Sequence, residues 1–258
     1  FMKIKKERIK LRKSNLKLGI GKNKLPSSWK FSTDIVKDFD DHIEKSIPRF
    51  KDCHKLTTRI SDFYLTENNS KYLDIGSTSG SLIEKISLHH NKRRKLIIKG
   101  VEIEKHFCDF SKKRLKRKNY KHDTKFYPKD VFSFLKNTND KFDFITSLFT
   151  LQFIKPNKRS KILDLIYKKL HWGGGFVFFE KVRGKDARFH DILNFLINLE
   201  KTDRNFEPSE IYGKSMSLAG VMEPFTHNGN LQILKNAGFK DIETIFKYVN
   251  FQGYLCIK

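Results

Sequence analysis

The run Lys71-Tyr-Leu-Asp74-Ile-Gly76-Ser77-Thr78-Ser79-Gly80-Ser81 joins a short apolar strand ending in an acid to a turn of small residues and then to a helix. Glycine permits close approaches that side chains forbid. Two glycines around three small residues therefore let backbone amides close on a ligand where a strand feeds a helix N-terminus. A phosphate-binding loop would continue as Gly-Lys-Ser/Thr, and nothing of that kind follows Gly80. A dinucleotide fingerprint would place a third glycine where Leu82 and Ile83 stand. The run reads as an S-adenosylmethionine (SAM) loop with Asp74, Gly76, Ser77, Thr78 and Gly80 as candidate ligand contacts, set against a tight turn that needs glycine for steric reasons alone.

Further ligand contacts in such a sheet arrive at the carboxyl ends of successive strands. Glu102 follows the apolar run 96–101, where an ionised carboxylate, an acceptor only, can take both hydroxyl protons of a ribose. Asp130, followed by Val131, comes after the third strand. Its carboxylate can accept from an adenine amino group with Val131 against the ring, or it can cap a helix over 131–136. Ser147-Leu148-Phe149-Thr150-Leu151-Gln152-Phe153 ends the fourth strand, and its aromatic rings suit a sulfonium charge as well as they suit a core. No catalytic residue is singled out, Glu180 included. His89-His90 reads as an isolated pair on a polar helix end, so no metal centre is expected, and no histidine stands beside a nucleophile. A sulfonium is already activated for displacement, which leaves the protein to position the acceptor.

Bringing these residues to one edge takes strands and helices in alternation. Apolar runs bounded by turn residues predict strands at 71–75, 96–101, 125–127, 142–149 and 175–180, with helices near 81–89, 105–118 and 158–170. That alternation calls for an α/β fold, a mostly parallel sheet with helices on both faces. Trp172-Gly173-Gly174-Gly175 reads as the turn into the fifth strand. Helices over 187–200 and 209–218 form an insertion at about 185–225, and 228–237 is a helix stopped by Gly238. The runs 240–246 and 253–257 close the sheet as an antiparallel pair. Upstream, Ile35, Phe39, Ile43 and Ile47 stand four apart and predict an amphipathic helix over 34–47. A second helix runs to about Phe63, before the turn Glu67-Asn68-Asn69-Ser70.

The chain of 258 residues suits one domain, expected over 29–258, preceded by a basic, flexible arm over 1–28 in which Glu7 is the one acid between Lys3 and Lys24. The net charge is +24. The arm and the basic helix segment Ser111-Lys-Lys-Arg-Leu-Lys-Arg-Lys118 offer RNA or DNA as a partner. Lysine exceeds arginine about three to one, so compositional bias explains the charge equally well, and a solvated helix explains 111–118. Cys53, Cys108 and Cys256 are too scattered for a disulfide framework or a zinc ribbon, which points to a reducing, cytoplasmic compartment. Organellar import stays open, although the arm is poor in serine. No apolar run approaches the length of a membrane span.

The sequence resembles the carboxy-S-adenosylmethionine synthases from about Trp29 to Lys258. The likeness is carried by Trp29-Lys-Phe, Ser46-Ile-Pro48-Arg-Phe50, Asp74-Ile-Gly76-Ser-Thr-Ser-Gly80 and especially Phe149-Thr-Leu-Gln-Phe153-Ile-Lys-Pro156. It continues through Ile166-Tyr-Lys-Lys-Leu170, Glu180-Lys181, Val221-Met222, Ala237-Gly238-Phe239 and Asn250-Phe251. The resemblance implies a Rossmann-like class I methyltransferase fold with seven strands and an antiparallel last strand. It also implies a homodimer, SAM or carboxy-SAM as ligand, and conversion of SAM and prephenate to carboxy-SAM for tRNA wobble-uridine modification. Implied ligand contacts are Phe50, where the family has tyrosine, Gly76 to Thr78, Glu102 with Ile103, and Asp130 with Val131. Two positions depart. Leu148, beside Ser147 and Phe149, replaces an asparagine, and Ser215 after Lys214 replaces an arginine that the partner subunit contributes to grip the extra carboxylate. Serine cannot carry that charge, though Lys214 can after a one-residue slip. The reading is therefore a SAM-dependent methyltransferase diverged from these synthases, with the synthase itself and a catalytically lapsed RNA-binding or assembly protein as alternatives.

Overall fold

The computed structural model describes Phe31 and residues 33–258, and the expected basic arm falls outside them. Among the described residues seven strands form one sheet: β1 (Lys71–Ile75), β2 (Ile97–Glu102), β3 (Asp123–Pro128), β4 (Phe142–Leu148), β5 (Leu170–Lys181), β6 (Asp241–Tyr248) and β7 (Phe251–Ile257). Their spatial order is β3-β2-β1-β4-β5-β7-β6. Neighbours from β3 to β5 are parallel, and β7 runs antiparallel between β5 and β6. The chain leaves β1 for β2 on one side and later reaches β4 on the other. A crevice therefore opens over the carboxyl ends of β1 and β4, the switch point of this topology.

The helices are α1 (Phe39–Ser46), α2 (Phe50–Ile60), α3 (Ser81–His90), α4 (Lys105–Lys116), α5 (Val131–Asn137), α6 (Pro156–Lys169), α7 (Ala187–Asp203), α8 (Pro208–Leu218) and α9 (His227–Asn236). Side chains alternate between the two faces of a strand, so the sheet builds two cores. Leu73, Ile75, Phe176 and Phe178 meet α5, α6 and α9 on one face. On the other, Tyr72, Ile98, Phe144 and Val177 meet α2, α3 and α4. No helix among the described residues is long and apolar enough to cross a membrane.

Several boundaries differ from the sequence reading. The predicted helix over 34–47 is a 3-10 turn, Thr33–Ile35, followed by α1. Helix α6 starts two residues early because Pro156 needs no amide partner at a first-turn position. Strand β4 stops at Leu148, since Phe149 turns into the left-handed region at φ 57°. The segment Trp172–Gly175 is not a turn: it lies inside β5 as a bulge between the pairs Phe142–Leu170 and Phe144–Gly175. Gly173 takes φ 76° there, donates to Lys258 O at 2.9 Å, and Gly174 O accepts from Lys258 N. The C-terminal end of β7 thus turns a loop-like sequence into strand.

Candidate functional site

The loop from Gly76 to Gly80 is shaped by glycine for a reason that can be seen in its neighbours. Gly76 has φ 71°, and a Cβ on it would lie 2.2 Å from Thr150 Oγ1, inside van der Waals contact. Thr150 is held there by its bond to Ile75 O at 3.2 Å. Gly80, at φ 74°, leads into α3, and Ser111 Oγ of α4 donates to Thr78 O at 2.8 Å. Four of the five amides from Gly76 to Gly80 have partners within the chain. Gly76 N and Ser77 N donate to Val101 O at 2.8 and 3.2 Å, Gly80 N donates to Ser77 O, and Thr78 N donates to Glu102 Oε2 at 3.1 Å. A strand carbonyl and a carboxylate next door attract these donors more directly than an outside group can.

Glu102 at the end of β2 is buried and directed at this loop. Its Oε1 accepts from Glu104 N at 3.1 Å. The Ile103 amide also approaches the carboxylate, which leaves it acceptor capacity for a further hydroxyl proton. Burial raises its pKa above the ordinary carboxylate value, and the Glu104 and Thr78 amides pull it back. Two further hydroxyls at this edge are buried without a hydrogen-bond partner, Ser77 Oγ in the loop and Ser147 Oγ at the end of β4, and Ile75 and Ser147 are paired residues in the sheet. Buried hydroxyls of this kind are costly unless something polar reaches them. Asp74 behaves differently. Its Oδ1 accepts from Thr146 Oγ1 at 2.7 Å, with Tyr72 OH on the same hydroxyl at 2.8 Å, and burial pushes its carboxyl up to about 7.

The remaining predicted residues divide. The rings of Phe50, at the start of α2, and Phe149 lie 6.1 Å apart, and Leu148 is half-buried beside them. Asp130 is exposed and caps α5, Oδ1 accepting from Ser133 N at 3.0 Å, while Val131 joins the core. Ile103 is 65% exposed. Glu180 is buried near Arg159 and the Thr150–Gln152 segment, its Oε1 has no hydrogen-bond partner, and burial drives its pKa well above the usual range.

Sequence reasoning missed a polar network over the loop. Ser79 Oγ donates to Asp40 of α1, Arg114 Nη1 donates to the other oxygen of Asp40 at 2.6 Å, and Arg114 Nε reaches Glu84 at 2.5 Å. The supposed RNA-facing helix therefore turns Ser111, Arg114 and Leu115 inward and leaves Lys112, Lys113, Lys116, Arg117 and Lys118 exposed. Lys214 is also inward. Its Nζ lies 2.6 Å from Ser46 Oγ and 2.8 Å from His42 Nε2 of the same chain, and burial together with Lys201 and Lys181 lowers its pKa to about 7. Ser215 is exposed. His89 and His90 are not isolated, because Asp62 joins them. Two shallow polar clefts of about 310 and 200 Å³ lie around Tyr64–Ser70 and His171–Gly174. Both sit at the amino ends of the strands, the wrong edge for a ligand of this fold.

Comparison with known proteins agrees with this geometry. A family model described as "Methyltransferase domain" matches residues 73–174. The carboxy-S-adenosyl-L-methionine synthase of Staphylococcus epidermidis is 34% identical over 90% of this chain and 98% of its own length. That of Campylobacter lari is 32% identical over 93% and 98%. Among solved structures, PigF with SAH aligns with a TM-score of 0.61 at 21% identity over 88% of this chain and 60% of its own. Haemonchus contortus phosphoethanolamine N-methyltransferase 2 in complex with SAM gives 0.55 at 14% identity over 79% and 52%. These structural likenesses bear on the fold.

Proposed function

The chain belongs to the carboxy-S-adenosyl-L-methionine synthase family, and on that premise we propose that its SAM is held at the β1–β4 crevice, chiefly by Glu102, for transfer to an acceptor. The observation that carries this reading is the buried Glu102 carboxylate with acceptor capacity left, beside the unpartnered hydroxyls of Ser77 and Ser147. These groups fit a ligand that brings ribose hydroxyls and an amino-acid end to the same edge. When bound, SAM supplies a carbon already activated for displacement by its positive sulfur. The chain's own part is to orient it. Glu102 accepts from the sugar, the Gly76 turn and Thr150 set how closely the backbone approaches, and Phe50 with Phe149 forms an apolar wall that excludes water and tolerates a cation. Asp130, Val131 and Ile103 flank the adenine end by resemblance, Asp130 keeping one oxygen beyond its helix cap.

The family's own product bears an extra carboxylate. This chain offers an exposed Ser215 where the grip should be, and Lys214 is drawn to α1 of its own subunit, so plain SAM is the favoured ligand. The relatives' activity remains the second reading because the likeness spans nearly the whole chain. Isothermal titration with SAM and its demethylated product tests the site. Wild-type protein is expected to bind both, and Glu102→Ala to bind at least about tenfold more weakly, since hydrogen bonds to a charged group contribute about 1.5–3 kcal/mol. A folded wild type that binds neither ends the proposal. Incubation with SAM and prephenate, read by mass, separates the two activities: a carboxylated sulfonium product favours the synthase.

A homodimer is proposed from α7, which exposes Phe189, Ile192, Phe195, Leu196 and Leu199 along its length. RNA is proposed as an acceptor on the exposed lysines of α4 and the basic arm. The three cysteines are free and buried, in keeping with a reducing cytoplasm.

A further inference from the structure

Asp62 lies in the 3-10 turn Ser61–Phe63 that follows α2, and it faces the C-terminal end of α3. Its Oδ2 is 2.8 Å from His89 Nε2, and its Oδ1 accepts from Arg93 Nη1 at 2.9 Å. His90 is fully buried beside them. One ligand atom from each of Asp62, His89 and His90 lies within 4.8 Å of the other two. A tetrahedral zinc ion bonded at about 2.0–2.2 Å to imidazole nitrogen and carboxylate oxygen would hold such atoms roughly 3.3 Å apart, so side-chain adjustment is enough to close the site.

The protons on His90 can be assigned from its neighbours. Ser61 Oγ donates to Thr58 O at 2.6 Å, so it has no proton left for His90 Nε2, 2.8 Å away. That nitrogen must carry the proton and donate it. His90 Nδ1 then holds the lone pair, and it is buried without a hydrogen-bond partner. One nitrogen donating to a fixed oxygen while the other stays bare is the state in which second-shell bonds hold a metal-ligating histidine.

We propose that Asp62, His89 and His90 form a binding site for a divalent transition-metal ion of the zinc class, with His90 ligating through Nδ1 and water completing the tetrahedron. Two imidazoles and a carboxylate favour zinc, nickel or cobalt over calcium or magnesium, which prefer oxygen. As the metal enters, the proton that His89 Nε2 donates to Asp62 passes to solvent and one is taken up at Nδ1, so His89 ligates as the neutral Nδ1–H tautomer with no net change in protons. The ion then ties the turn after α2 to the end of α3, the helix that begins at the glycine loop. Arg93 opposes it, since its charge competes for Asp62.

Full-length protein stripped with a chelator and titrated calorimetrically with zinc chloride tests the site, with the thermal midpoint measured in parallel. One zinc per chain and a raised midpoint are expected. His89→Gln and Asp62→Asn, both at partly exposed positions, are each expected to weaken binding by at least about tenfold while leaving the metal-free midpoint close to wild type. Arg93→Gln removes the competing cation and should tighten it; weaker binding there counts against the site. Failure of the folded wild type to bind zinc, or binding that either ligand substitution leaves undiminished, overturns the proposal.

Discussion

Asp74 shows how one residue can be conspicuous in a sequence and still have its role set elsewhere. It stands next to last in β1, just before the glycine loop, which made it a candidate ligand contact, yet its carboxylate accepts from Thr146 on the neighbouring strand. Only the parallel register that sets Asp74 opposite Thr146 reveals the partner, and 72 residues separate them in the chain. Glu102 was legible because the end of a strand is itself a position in the fold. The buried Asp74 carboxyl has a consequence for stability. Its pKa rises from 3.8 in the unfolded chain to about 7, so between those values the native state keeps a proton that the unfolded state releases. Stability from this group is therefore greatest below pH 3.8, declines as pH rises toward 7, and is flat above. The whole change is about 4 kcal/mol at roughly 1.4 kcal/mol per unit. Asp74→Asn keeps an oxygen for Thr146 and removes the titration. Urea unfolding of both proteins at pH 5 and pH 8 should show the variant gaining on wild type at the higher pH; a constant difference between them would refute the assignment.

At the scale of elements, the pattern of strands and helices was readable because each carries its own period, and both cores follow from alternation along β1, β4 and β5. What failed were places where a distant segment decides. Three glycines after Trp172 look like a turn until the end of β7 pairs with them. At 111–118 only the fold shows that Asp40 and Glu84 turn Arg114 inward while Lys112, Lys113, Lys116, Arg117 and Lys118 stay exposed. The glycine loop is the same case, for nothing near Gly76 in sequence announces Thr150. Gly76→Ala meets two costs there, a left-handed backbone and an overlap with the Thr150 side chain. The first is about 1–2 kcal/mol and the second about 1–3 kcal/mol. The thermal midpoint should fall by several degrees and SAM affinity with it. Adding Thr150→Ala should recover part of the steric loss and none of the backbone strain, so a double variant restored fully to wild-type stability would show that strain at Gly76 contributes nothing.

The molecule as a whole is highly basic, and its described domain leaves a long apolar helix face without a cover. Charge and face were not equally legible. The net charge of +24 can be counted from composition, but which lysines are displayed depends on folding, and Lys181, Lys201 and Lys214 are drawn inward, where burial lowers each pKa. The sequence placed α7 in an insertion without saying which way its apolar residues face; Ile197 is the one residue of that helix that is buried, and Phe195 is 63% exposed. Contiguous exposed apolar surface of this kind on a protein of modest size marks an interface. A second copy of the chain is its simplest occupant, since an isologous pair would bring two such helices face to face, remote from the long-range repulsion of the net charge once salt screens it. Analytical ultracentrifugation at about 0.15 M salt, where the screening length is about 8 Å, is expected to show a dimer, and Phe195→Glu with Leu199→Glu is expected to give a folded monomer. If that monomer still binds SAM as tightly as the dimer, the crevice is complete within one subunit, in line with the absence of an arginine at Ser215. If its affinity drops, the partner reaches the site by some other residue, and the preference for plain SAM must be sought there.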